Sequence, residues 1–528
     1  MSEPAAEASG QAPLPRAAKW RRSLRRTVIA LAVIVGAVLA IRFVLILVAE
    51  HHLAEARANL PFKLVAPKEL PSTWGPTPSE AENAAPLVSE ASAAIERIFA
   101  SEGELAEGKS EAEVKKAEEL DKECQRLLVI WGLEDPDWYP DEAEGSAEDN
   151  QTTEATRTKI PPRDAARARE FLGRFDKVFK LRDEAVRRPH YRDSFDWSVL
   201  FWEQPTVRPW RLVELSELEC AVEAEEGRWE KAYGIQRTLL SLAQRFDEEP
   251  MPHLVLSTVS CRERNMKHLA SMVARHPPAK AMAGELQQLL ATDAAGQARR
   301  AWVAEGIWDN SAFEGLEDGR LILSDVLHGD RNAASRDRKM SPAEERAWLW
   351  LLRPMVMENR AACLEAVGLS VKALSKRPRE CVQELAALEE GSRNKSWVVR
   401  LGWRRGVRWP GYAVWFYADE ITGKMMCVAL EVAAYREANG RYPESLGALA
   451  GADKLPRDPF TGGSAGEERP FQYRVAPEGF MLWSVGPDGR DEGGKTAEEV
   501  GVELWQGGDI VLEVPPRPPA ASGGAGEE

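Results

Sequence analysis

Residues Thr27–Val48 read TVIALAVIVGAVLAIRFVLILV and carry one charge, Arg42. A helix needs roughly 20 apolar residues to cross the hydrocarbon core of a bilayer. Only a helix satisfies its own backbone there, so the run predicts a transmembrane helix over residues 27–49 that binds the lipid bilayer. Arg16, Lys19, Arg21, Arg22, Arg25 and Arg26 precede it, and Glu50, His51 and His52 follow. Lysine and arginine gather on the cytoplasmic side. Residues 1–26 are therefore expected to form a disordered, basic cytoplasmic tail, with the bulk of the chain across the membrane. Arg42 would cost about 2.5–3.5 kcal/mol at the bilayer centre, but near the outer end of the segment its side chain can snorkel to the interface. The competing reading is a cleaved signal peptide cut after Val38-Leu39-Ala40. It would leave the strongly apolar Ile41–Ala49 as a new terminus, which favours an uncleaved anchor.

The remaining length leaves room for two or more domains. The formal net charge is −15, and the residues past the anchor carry −20. That excludes a basic nucleic-acid-binding face and suits a self-repelling domain outside the membrane. Cys124, Cys220, Cys261, Cys363, Cys381 and Cys427 lie too far apart for a CxxC redox or zinc signature. Most fall on apolar positions of helical patterns, where a thiol behaves as a small hydrophobe. An oxidising compartment would permit disulfides, and sequence leaves their pairing open.

After the anchor, Pro61 stops the helix, and residues 50–160 are expected to hold a linker, two amphipathic helices and an acidic loop. Ala84, Leu87, Ala91, Ile95 and Ile98 mark a helix over Ser79–Ala100; Val114, Ala117, Leu120, Cys124 and Leu127 mark one over Ser110–Ile130. Glu134–Asn150 is acidic and turn-rich without EF-hand spacing. Residues 161–410 read as a helical-hairpin domain. Leu212, Leu215, Leu218 and Val222 form one stripe, Gly227 breaks it, and Trp229, Ala232, Ile235, Leu239, Leu242 and Phe246 form the next. This resembles a tetratricopeptide-type hairpin, although no clean 34-residue period recurs. Ser341-Pro342-Ala343-Glu344 is a capping box with proline at the first helical position, opening a helix to about Ala366. Stacked hairpins bury their stripes and leave a surface for partners. The fold class expected is mainly α, with a small C-terminal α+β module.

That module spans residues 411–514. A helix over Met425–Asn439 runs into Gly440-Arg441-Tyr442-Pro443, followed by Asp458-Pro459-Phe460. Strands Phe471–Val475 and Phe480–Val485 come next, then Gly486-Pro487-Asp488-Gly489-Arg490-Asp491-Glu492-Gly493-Gly494 and Gly508-Asp509-Ile510-Val511. This order resembles the C-terminal half of the major pseudopilin of type II secretion systems. The resemblance implies a short antiparallel sheet and a calcium loop, with Asp488, Asp491 and Asp509 as ligands. Calcium takes six to eight carboxylate and carbonyl oxygens, and glycine permits the tight turns. Two departures stand out. Lys495–Gly507 is inserted before Asp509, and residues 1–60 hold no pilin leader, so the chain is not expected to assemble as a pilus subunit. The resemblance also implies a bacterial inner membrane and periplasm as the setting. A disordered tail, 515–528, is expected to close the chain.

Catalytic motifs are lacking. Gly462-Gly463-Ser464-Ala465-Gly466 matches GxSxG without the strand and helix that a nucleophile elbow requires. There is no P-loop, GxGxxG or HExxH. His253, His268 and His276 lack zinc-helix spacing, and His51-His52 point about 100° apart on a helix, a poor chelate. The reading is a non-enzymatic anchored envelope protein that binds other envelope proteins. The alternatives are an accessory part of a secretion or pilus-like system, or an enzyme with a site scattered over the helices.

Overall fold

The computed structural model describes residues 16–99, 110–133, 162–193, 210–249, 252–318, 320–321, 341–406, 410–462 and 468–516. The acidic run 134–150, residues 463–466 of the GxSxG string with Glu467 after them, and the ends 1–15 and 517–528 lie outside the described residues.

The anchor belongs to a longer helix, α1 (Arg16–Ala58). It is long and apolar enough to cross a membrane, and its apolar stretch is not buried by the rest of the chain. The helix starts ten residues before Arg26, which corrects the expectation of a disordered tail up to that point. Once a helix is nucleated, each added residue gains a hydrogen bond, and Ala, Leu, Lys and Arg are good helix formers.

The body is mainly helical. α2 (Ala85–Phe99), α3 (Glu111–Ile130), α4 (Ala165–Leu172), α5 (Asp176–Arg187) and α6 (Trp210–Glu225) lead into α7 (Trp229–Phe246), α8 (Pro252–Arg275), α9 (Lys280–Leu289) and α10 (Ala294–Glu317). α11 (Pro342–Ala373), α12 (Pro378–Arg393), α13 (Trp397–Gly406) and α14 (Pro410–Asn439) follow. α3 and α11 both start with capping boxes, on Ser110/Glu113 and Ser341/Glu344. Gly227, at φ +77°, makes the turn between α6 and α7. A β-branched or bulky residue would be strained there.

Helical periodicity overran some ends. The first helix begins at Ala85, and the segment after Pro162 breaks into two helices around a 3₁₀ turn at Gly173–Phe175. In the opposite direction, α11 runs on to Ala373 and α14 starts as early as Pro410, both longer than expected.

The C-terminal segment forms two small antiparallel sheets. β1 (Arg457–Asp458) pairs with β2 (Arg469–Pro470), and β3 (Gln472–Ala476), β4 (Gly479–Ser484) and β5 (Ile510–Val514) form a meander with β4 central. β4 is buried along its whole length. The hydrophobic interior is shared: Phe460, Phe480, Leu482 and Val514 belong to the same buried cluster as Leu240, Val367 and Met425. A second cluster joins α2, α3, α4, α5 and α6. The residues split between 161–410 and 411–514 on the order of motifs thus pack into one core across residue 410.

α1 joins this body through α11. Arg42, Ile46, Ala49, Leu53 and Ala56 are its less exposed positions, spaced four and three, the interval of a coiled-coil seam. Leu53 and Ala56 pack on Ala361 and Leu364. His52 Nδ1 lies 3.0 Å from the Glu358 carboxylate, and Lys372 Nζ donates to Asn59 O at 3.2 Å. Contacts at 42, 52 and 59 meet 350, 358 and 372 in the same order, so the two helices run parallel. α13 backs α11 equally closely. Asn359 Oδ1 accepts from Gly402 N at 2.7 Å, and a Cβ at Gly402 would sit 1.8 Å from Asn359 O. Glycine is required at that crossing.

Candidate functional site

The first two motifs of the C-terminal segment serve its architecture. Gly440, at φ +69°, ends α14, and Tyr442 packs edge-on against Phe480 at 5.3 Å. Asp458 is buried, and its carboxylate accepts from Phe460 N, Ser484 Oγ and Val485 N at 2.7–3.0 Å. Every oxygen of that carboxylate has a donor, which holds the turn against the end of β4. Phe460 is fully buried, edge-on to Tyr417.

The acidic loop differs. β4 pairs Ser484 with Ile510 of β5, so the residues leaving β4 face those entering β5. Gly486, at φ +67°, lies where a Cβ would be 2.1 Å from Gly508 O. This close approach brings the 486–494 loop against Asp509. Lys495–Gly507, the insertion, closes on itself. Thr496 and Glu499 form a capping box on the short helix α15 (Ala497–Val500), and Asp509 N donates to Lys495 O at 2.8 Å. The insertion therefore leaves Asp509 beside Gly494, whose amide donates to Asp509 Oδ2 at 2.7 Å.

Asp509 is 1 % exposed, and its Oδ1 has no hydrogen-bond partner. Glu492 Oε2 is likewise buried without a partner. Burial raises the Glu492 carboxyl above its ordinary range, and Asp488 and Asp509 push it further by like charge and by side-chain contact with Asp509. Burial also raises Asp509, with Asp491 adding to it, against the opposing pull of backbone amides. Two carboxylates facing each other out of water need a proton or a cation between them. Asp488 sits close by, with its Oδ2 3.0 Å from the Cβ position of Gly507 and its backbone carbonyl held by Arg379 at 2.7 Å.

Of the residues singled out from sequence, Asp488 and Asp509 thus flank one buried spot. Asp491 is near enough to raise Asp509 by like charge, and its Oδ1 accepts from Trp483 Nε1 and Gly493 N, both at 2.9 Å. Glu492, half-buried, is in side-chain contact with Asp509. Sequence reasoning passed over it because it follows a more conspicuous Asp-Gly pattern. Among the described residues, no group of three or more His, Cys, Asp or Glu side chains is arranged to hold a metal ion as it stands.

The remaining candidates have structural partners. His268 is half-buried, its Nδ1 is 2.9 Å from Gln236 Nε2, and desolvation lowers its pKa to about 4. His276 stacks on Trp229 at 5.0 Å. The six cysteines are free thiols, and burial pushes Cys124, Cys261 and Cys427 up to about 12. A thiol in that state is a poor nucleophile.

Compared with protein-family models, with curated proteins and with solved structures, the chain matches none.

Proposed function

We propose that this chain is a single-pass envelope protein, non-enzymatic, whose helical body and pseudopilin-like end bind other envelope proteins, with calcium held in the acidic loop. The observation that carries the calcium part is the pair of orphaned, buried oxygens on Asp509 and Glu492. Calcium would take Asp509 Oδ1, Glu492 Oε2, Asp488 and loop carbonyls, and water would complete a shell of six to eight oxygens. In this reading α1 crosses the inner membrane with Arg16–Arg26 on the cytoplasmic side, by the charge asymmetry. A second reading, an accessory component of a type II secretion or pilus-like system, is favoured by the order of motifs from Tyr442 to Asp509. Co-purification with pseudopilins would separate it from the first.

The test is a thermal melt of the full chain in detergent, with calcium and with chelator, for the parent and Asp509→Asn. A ligand that binds only the folded state raises its stability. Calcium is expected to raise the parent Tm and to leave the variant unmoved. An equal response, or none in either, would sink the calcium assignment.

A further inference from the structure

We propose that the start of α11 is a second membrane contact, seated in the interfacial layer of the leaflet in which α1 ends; this rests on the reading of α1 as a membrane span. Ala347-Trp348-Leu349-Trp350-Leu351-Leu352 is apolar for nearly two turns. Trp348 is 52 % exposed, Trp350 53 % and Leu351 41 %, while Leu349 is buried. Residues at 100° intervals place Trp348 and Trp350 on opposite sides of the helix. A helix that is apolar all round is covered by protein or by lipid, and here most of its circumference is open.

Its position chooses lipid. The Arg42 guanidinium lies 4.0 Å from the Trp350 ring centre, and Arg42 Nε donates to Trp350 O at 3.1 Å. Trp350 is therefore level with Arg42 of the anchor. Phe43, Val44, Leu45, Leu47 and Val48 are exposed beside it, so the apolar surface of α1 continues onto α11. Trp20, at the other end of α1, is also exposed. At 1.5 Å per residue, Trp20 to Val48 spans about 42 Å, matching the roughly 40–45 Å of a bilayer with its headgroup layers. Arg42 and Trp350 then lie about 9 Å inside the outer edge, where the hydrocarbon gives way to headgroups. Tryptophan favours this layer. Residues 28–41 of α1 are exposed, so α11 does not pack on the anchor below Arg42. The same contact gives Arg42 a carbonyl and a ring in place of water.

The experiment uses the full chain in vesicles of phosphatidylcholine and phosphatidylglycerol, with Cys427→Ser as background. An environment-sensitive fluorophore is placed at Val35→Cys, Trp348→Cys, Leu351→Cys or Val475→Cys. Quenching is read from lipids carrying a nitroxide near the headgroup or near the chain end. The expected result is that Trp348→Cys and Leu351→Cys each lose roughly half their emission to the shallow quencher, as an interfacial side chain should, while Val35→Cys responds best to the deep one. Val475→Cys, on the C-terminal sheet, should respond to neither. If Val35→Cys is quenched and both α11 sites match Val475→Cys, the anchor stands, the second contact is overturned, and protein covers the tip of α11. If Val35→Cys is not quenched either, the membrane reading of α1 fails with it.

Discussion

Asp247 and Asp419 share a buried arginine; Glu492 and Asp509 meet each other, with the Gly494 amide on Asp509. In the helical body, Arg262 on α8 reaches Asp247 at the end of α7 at 2.6 Å and Asp419 on α14 at 2.7 Å, with all three side chains largely out of water. Burial pushes Asp247 up to about 6, and Arg262 pulls against it. The chain supplies that site with its own cation, which ties three helices together. In the C-terminal loop the same desolvation acts, and Asp509 Oδ1 and Glu492 Oε2, like Asp247 Oδ1, have no hydrogen-bond partner. A buried carboxylate with its arginine is architecture. A carboxylate pair in contact without one holds a proton or a cation between its members, and calcium is the cation proposed for it.

The largest effect should come from removing the internal cation. Arg262→Met leaves two carboxylates buried without a partner and should cost about 3–5 kcal/mol in denaturant unfolding. Adding Asp247→Leu and Asp419→Leu to it should recover most of that loss. If Arg262→Met alone is nearly neutral, the contrast between the two regions is false.

The next effect is the calcium gain. At a free concentration of 100 Kd it should reach about 2.7 kcal/mol. Asp509→Asn should abolish this gain, yet in chelator it should stabilise the protein by about 1 kcal/mol, because an amide can donate to Glu492. A variant that is worse in both conditions would mean the pair is an ordinary buried network.

The pH response separates the sites further. Glu492 and Asp509 hold protons more tightly in the folded chain than in the unfolded one. The folded state then binds more protons, so stability in chelator rises as pH falls from above their raised values toward the ordinary carboxylate range. With calcium bound the trend of this site reverses, because protons displace the cation. Glu249, pushed up to about 8 by burial, adds the same background slope in both conditions. The quantity to measure is therefore the difference between calcium and chelator across pH 5–8. A flat difference would refute the linkage.

The smallest effect belongs to Asp491. Asp491→Ala loses the Trp483 hydrogen bond and should cost about 1 kcal/mol alike with calcium and with chelator. If it removes the calcium response instead, Asp491 is the ligand the motif implied and Glu492 is not.

What was legible in sequence follows from how local each cause is. The capping boxes at Ser110 and Ser341, the turn at Gly227 and the apolar run of α1 are written within a few residues of where they act. The pairing of β3 with β4 was equally local. The α11–α13 crossing was not, because Gly402 is needed only when Asn359 arrives from another helix. The shared core across residue 410 was hidden for the same reason: a stripe shows that a face is buried, and not against what. In the candidate site, Asp488 and Asp509 could be named from an ordered motif, and Asp491 with them. Glu492 was not named, because its contact with Asp509 and the hydrogen bond of Trp483, eight residues back on β4, to Asp491 both depend on how the loop folds back.

The parallel seam between α1 and α11 has a mechanical consequence. A pull on the anchor, normal to the bilayer, runs along the interface rather than across it. Ile46, Ala49, Leu53 and Ala56, with the His52 and Asn59 contacts, would then have to slip together instead of opening one at a time like a zip. Loading in shear distributes force over the full length of the joint. The body is thus held stiffly against α1, at one height along it and one heading around it.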